Sequence, residues 1–201
     1  VAAIDNQDYT GSNVVPDVTV TYGTTVLKKC VDYQCEAGTN TVKPGTATVV
    51  IKGIGNYGGQ VTKDFKIIGN LESNGRIETI APQAYTGTTV KPAATVTFGG
   101  SKLIRGTDYN IDWNNNIEVG TATVTITGTG VDKGTITGTF NIAYDLAANG
   151  GNKVETNSIA DEYTYQGSAI TPITQISYNG QAMTEGTDYI LSYSQNTNAG
   201  N

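Results

Sequence analysis

Gly120-Thr121-Ala122-Thr123-Val124-Thr125-Ile126-Thr127-Gly128 decides the reading of this chain. Ala122, Val124 and Ile126 hold alternate places, and four threonines hold the places between them. Successive side chains of an extended strand point to opposite faces, so this stretch predicts a strand with one apolar and one hydroxyl-bearing face. A sheet of such strands packs on one side and meets water on the other.

Working outward, the same stretch returns in part as Gly45-Thr46-Ala47-Thr48-Val49, with Ile51 continuing the inward set. Other markers hold the same register. Tyr9-Thr10-Gly11 returns as Tyr85-Thr86-Gly87 and Tyr165-Gln166-Gly167, at offsets of 85 − 9 = 76 and 165 − 85 = 80. Pro16, Pro92 and Pro172 keep those offsets, as do Asp32-Tyr33, Asp108-Tyr109 and Asp188-Tyr189. Phe65-Lys66-Ile67 matches Phe140-Asn141-Ile142. A period near 76 is too long for a solenoid repeat and suits a whole small domain.

The expected organisation is copy one at 1–69, a linker at 70–76, copy two at 77–146, a linker at 147–157 and copy three at 158–201. Both linkers are placed on polar, Gly- and Asn-rich sequence. Alternation recurs in Val18, Val20 and Tyr22, in Val96 and Phe98, and in Tyr109, Ile111 and Trp113, matched by Tyr189, Leu191 and Tyr193. Gly99-Gly100 and Asn179-Gly180 read as hairpin turns. Six or seven short strands per copy suggest a β-sandwich. Copy three reaches Gly200-Asn201 where its Gly-Thr-Ala-Thr-Val stretch would start. The expectation is that the natural chain continues, the alternative being a partner that supplies the missing strands. Val1 reads as the start of an excised or processed piece.

Composition narrows the function. The formal net charge is −6, which opposes binding to a phosphate backbone. No basic amphipathic helix and no apolar run of about 18–20 residues is present for a membrane. Histidine, the commonest general base and metal ligand, is absent. No Gly-rich phosphate loop follows a strand and opens a helix.

The succession Tyr-Thr-Gly, Pro, a Gly-Gly or Asn-Gly hairpin, Gly-Thr-Asp-Tyr and Gly-Thr-Ala-Thr-Val-Thr-Ile-Thr-Gly resembles the tandem immunoglobulin-like repeats of Gram-positive, including Firmicutes, cell-surface and secreted proteins. Gly106-Thr107-Asp108-Tyr109 through Gly128 and Thr184 through Gly200 carry the likeness best. The resemblance implies an all-β chain of small immunoglobulin-like β-sandwiches, arranged as beads on a string. It implies a non-catalytic spacer or stalk, outside the cell or on its wall, presenting other modules of the same polypeptide. Two alternatives stay open: an adhesin for a host protein or polysaccharide, and a fibre subunit assembling by strand exchange. No cofactor, nucleic acid or membrane insertion is expected.

Copy one departs from the pattern at Cys30-Val31-Asp32-Tyr33 and at Lys43-Pro44. Cys30 takes the turn place of Gly106 and Cys35 the inward place of Ile111. A secreted setting favours a Cys30–Cys35 disulfide bracing that turn, the alternative being a buried thiol at Cys35 and an exposed one at Cys30. Lys63 has the inward parity of Val61, Phe65 and Ile67. The resemblance makes it a candidate donor for a Lys–Asn or Lys–Asp isopeptide crosslink; otherwise its ammonium reaches water from a packed stem. Trp113 reads as core-facing rather than as a sugar platform, and so does Tyr193. Tyr9, Tyr85 and Tyr165 read as structural residues at a domain edge rather than as ligand contacts. Glu72, Glu78, Asp145 and Asp161 read as solvated acids, with calcium binding the alternative. Asp32, Asp108 and Asp188 are expected to accept backbone hydrogen bonds in a turn.

Overall fold

The computed structural model describes residues 1–145, 154–157, 159–160, 162–172 and 174–198. Copy one contains β1 (Gln7–Asp8), β2 (Thr21–Tyr22), β3 (Thr25–Val26), β4 (Tyr33–Ala37), β5 (Gly45–Gly53) and β6 (Gln60–Asn70). β4, β5 and β6 pair antiparallel, and β1 joins the free edge of β6 in parallel. β2 and β3 form a hairpin outside that sheet. A four-residue helix, α1 (Leu71–Asn74), follows.

Copy two contains β7 (Gly75–Ile77), β8 (Gln83–Ala84), β9 (Val96–Phe98), β10 (Ser101–Lys102), β11 (Tyr109–Asn114), β12 (Gly120–Gly128), β13 (Asp132–Lys133) and β14 (Thr135–Ala143). Its larger sheet runs β11-β12-β14-β8 and its smaller one β10-β9-β7. The registers repeat as the sequence does: Ala47 faces Phe65 across β5 and β6, and Ala122 faces Phe140 across β12 and β14.

Alternation becomes burial. Ala122, Val124 and Ile126 are fully buried together with Phe140, Ile142, Val96 and Phe98. In copy one Ala47, Val49, Ile51, Phe65 and Ile67 enclose a separate core with Val18, Val20 and Leu27. Each fully buried aliphatic or aromatic side chain stabilises by about 1.5–3 kcal/mol, so these two clusters dominate the energetics. The chain is all-β apart from α1 among the described residues. The Gly99-Gly100 and Asn179-Gly180 turns carry positive φ at both central residues, the geometry that matches strand twist in two-residue hairpins.

Copy three forms β15 (Val154–Thr156), β16 (Ile176–Tyr178) and β17 (Gln181–Ala182). In residues 189–194, the counterpart of β11, Tyr189 makes an isolated bridge to Glu185 and no strand ladder follows; Ile190 is 87 % exposed. A strand needs a neighbour for its backbone groups, and no counterpart of β12 occurs in the 201 residues.

The linker expected at 70–76 is instead an ordered, packed turn. Asn70 caps α1, its side chain accepting from the Glu72 N–H at 2.9 Å. The Gly75 N–H closes onto the Leu71 carbonyl. Leu71 is 0 % exposed and belongs to the core of copy two. Gly75 then begins β7, which pairs with β9. In the second expected linker Val154–Thr156 pairs with β16; residues 147–153 lie outside the described residues.

Candidate functional site

The residues with most to do beyond their own copy gather where one copy meets the next. Tyr9 lies just past β1, and its N–H donates to the Ile68 carbonyl of β6 at 2.9 Å. The ring meets Phe98 of copy two edge to face, with centroids 4.8 Å apart, a geometry that aromatic quadrupoles favour. Tyr9 packs against both hydrophobic cores. Its hydroxyl lies over Gly99, where a Cβ would stand 2.5 Å away, so Gly99 serves both the hairpin turn and this close approach.

The backbone joins the copies as well. The Gly69 N–H donates to the Val131 carbonyl at 3.0 Å, and the end of β6 pairs in parallel with β13. The Gly99 N–H donates to the Asn74 carbonyl at 3.3 Å. A Cβ at Gly69 would stand 2.5 Å from the Asp132 carboxylate and 3.0 Å from the Phe98 ring. Glycine is therefore required at 69 by space.

The same construction recurs at the next junction. The Tyr85 N–H donates to the Ala143 carbonyl at 2.8 Å. Tyr85 and Tyr178 stand as Tyr9 and Phe98 do, at 85 − 9 = 76 and 178 − 98 = 80 along the sequence; their ring centroids are 6.4 Å apart. Tyr144 occupies the place of Gly69 and fills the space with a third ring, 4.5 Å from Tyr178 and 5.3 Å from Tyr85. The Tyr178 hydroxyl donates to the Tyr85 carbonyl at 3.5 Å. The edge role expected of Tyr9 and Tyr85 thus takes the form of docking the following copy. Tyr165, the third of the series, is 57 % exposed.

Between copies one and two lies a cavity of about 350 Å³. Tyr9 and Lys43 line it from copy one; Ser101, Asp108 and Asp132 line it from copy two. Asp132 is 4 % exposed and is the charged residue buried among those described. Its Oδ1 has no hydrogen-bond donor. Burial, and secondarily the neighbouring Asp108 carboxylate, push the Asp132 carboxyl above its usual range. In copy one the equivalent position, at offset 132 − 57 = 75, is Tyr57, which packs on that copy's core.

The recurrent Asp-Tyr pair builds the turn before β4 and β11. Asp32, Asp108 and Asp188 each accept, through Oδ2, from the backbone N–H four residues earlier, at 2.8, 2.7 and 2.7 Å. This is the turn role expected of them. Tyr33, Tyr109 and Tyr189 each donate their hydroxyl to a carbonyl fifteen residues earlier, belonging to Val18, Ala94 and Thr174. The aspartate fixes the loop, and the tyrosine ties it across to the preceding segment.

The expected Cys30–Cys35 disulfide is not formed: both thiols are free. Cys30 adopts the left-handed turn conformation of Gly106 and Gly186, with φ 65° against 83° and 83°, and is exposed. Cys35, on β4, packs against the core of copy one. Burial pushes its thiol above the usual range. The turn sends one side chain outward and the strand sends the other inward.

Lys63 is exposed. The register still places it opposite buried Val49, so its parity is inward. In copy two the equivalent Gly138 lies under Ile77 of β7, at 3.3 Å from a Cβ built there. Trp113 is half-buried against the core of copy two, with the Lys91 ammonium 5.6 Å and the Arg105 guanidinium 5.0 Å from its ring centroid. Glu72, Glu78 and Asp145 are exposed, and Asp161 lies outside the described residues.

Sequence reasoning missed Leu71, Asp132 and the partnership of Tyr9 with Phe98. The repeat register held one usable signal: Asp132 is acidic where copy one has an aromatic ring. The chain matches no family model, and no curated protein is significantly similar to it.

Proposed function

We propose that this chain is a run of tandem immunoglobulin-like β-sandwiches serving as a non-catalytic stalk of a bacterial extracellular surface protein. One observation carries the reading: the junctions are packed. Tyr9 is shared between two cores, Gly69 is hydrogen-bonded to Val131, and the aromatic construction is repeated at Tyr85 and Tyr178. A tether would need none of these contacts, whereas a spacer that holds other modules at a distance needs its units fixed to one another. Outward threonines on β12 supply the wetted face such a rod requires. The cell-surface setting rests on the sequence resemblance.

Small-angle scattering tests the stalk. Strands of nine residues give units of roughly 30 Å, and three end to end extend about 100 Å. A maximum dimension near that length and a rod-like profile support the proposal; a compact particle refutes it. A second reading, adhesion to an acidic polysaccharide or protein, is favoured by the Lys91–Trp113–Arg105 stack. That stack is replaced by Val15, Ala37 and Lys29 in copy one and by Thr171, Tyr193 and Glu185 in copy three. Retention on an acidic-glycan array that is lost in Arg105→Ala would move the assignment to that reading.

A further inference from the structure

The carboxylate of Asp132 poses a physical problem at the junction. It is 4 % exposed, its Oδ1 lies against Gly69 of the preceding copy, and no described group donates to it. An ionised carboxylate in such a place is strongly unfavourable without a counter-charge or a proton. A proton satisfies one carboxylate. This cavity is lined by two, because Asp108 borders it as well, along with Ser101 and Tyr9.

We propose that the cavity between copies one and two binds a divalent cation of the calcium class, held by Asp132 and Asp108 and closed by Tyr9 of copy one. Hard oxygen ligands, two of them anionic, match the preference of calcium for carboxylate, hydroxyl and carbonyl oxygens completed by water. Asp108 keeps its place through the bond from the Ile104 N–H to its Oδ2, so the turn presents a carboxylate already oriented. Asp132 is placed by β13, the strand that pairs with the end of β6. A cation here therefore joins the strand that crosses the junction to the turn beside it. Lys43 also lines the cavity from copy one and is exposed.

At the second junction Tyr144, in the place of Gly69, packs on Tyr178. The consequence of a cation at the first junction is that this junction stiffens with cation concentration. The binding claim stands on the cavity itself. Its role in rigidity rests on the stalk reading, and the two fail separately.

Isothermal titration of CaCl₂ into the chelator-treated 201-residue chain tests the binding, with MgCl₂ as comparison. The expected result is one saturable site per chain, with calcium preferred and the melting temperature raised. Both effects are expected to vanish in Asp132→Asn. That variant is also expected to be more stable than the parent in chelator, because it removes an uncompensated buried charge. If Asp132→Asn fails to fold, Asp108→Asn, which keeps an acceptor for the Ile104 N–H, is read instead and is expected to lose the saturable heat. Absence of saturable heat at millimolar calcium overturns the proposal. So does a calcium effect that survives in a folded Asp132→Asn or Asp108→Asn, since it places the ion elsewhere. Scattering with and without calcium then reads rigidity: an extended particle that binds no ion refutes the site and spares the stalk, and a compact particle that binds does the reverse.

Discussion

Leu71→Ala separates an ordered junction from a tether. Leu71 stands in a polar stretch between the two copies, yet it is 0 % exposed and packs in the core of copy two. Truncation to alanine removes three carbons. At about 0.8 kcal/mol per buried carbon, the lost transfer energy is about 2.4 kcal/mol. The surroundings include backbone that cannot collapse freely: Gly75 sits against the Leu71 carbonyl, and Gly128 against its Cδ1 at 3.1 Å from a built Cβ. A residual cavity adds to the loss, which puts the expected cost at about 3 kcal/mol, within the range of buried Leu→Ala changes. Differential scanning calorimetry is the assay, with urea titration as the second probe. For a unit of about 75 residues that cost lowers the melting temperature of the copy-two transition by roughly 12–24 °C. Glu72→Ala, one position along and exposed, is expected to change stability by less than about 0.5 kcal/mol. A Leu71→Ala cost under about 1 kcal/mol, or one equal to that of Glu72→Ala, refutes the packed junction.

Other expectations are smaller. Cys30→Gly should stabilise copy one by about 0.5 kcal/mol, because glycine relieves the left-handed conformation that Cys30 holds at φ 65° while adding unfolded-state freedom; a loss of stability in urea titration would contradict this. Dithiothreitol should leave the melting temperature unchanged, and iodoacetamide at pH 8 should modify exposed Cys30 before Cys35, whose burial keeps more of its thiol protonated. A drop in melting temperature on reduction would reinstate the disulfide. Asp32→Ala should cost about 1 kcal/mol by leaving the Lys28 N–H without its acceptor, while Asp32→Asn, which keeps an oxygen there, should recover most of it; equal losses in the two variants would assign the effect to charge.

Strand identity was legible because it is local. The pleat alone sets side-chain parity, so Ala122, Val124 and Ile126 could be placed on one face without knowing what lies opposite, and the structure buries all three. The turn aspartates were legible for the same reason, since each bonds a backbone group four residues away. Lys63 marks the limit of that reasoning: its register opposite Val49 is inward, yet the side chain is exposed, because parity along one strand does not say what packs over it.

Sequence by itself therefore determined most strands and turns of copies one and two, which follow from backbone geometry over a few residues, but not the strand read at Tyr189, Leu191 and Tyr193, which does not form, nor the inward place read for Tyr22, which is exposed. Tertiary structure alone decided that Leu71 is core, that Tyr9 serves two cores, that Cys30 and Cys35 point apart, and that Asp132 is buried beside Asp108. Those outcomes depend on which surfaces meet across a junction, and a single buried residue in a polar stretch leaves no periodicity from which its burial can be read.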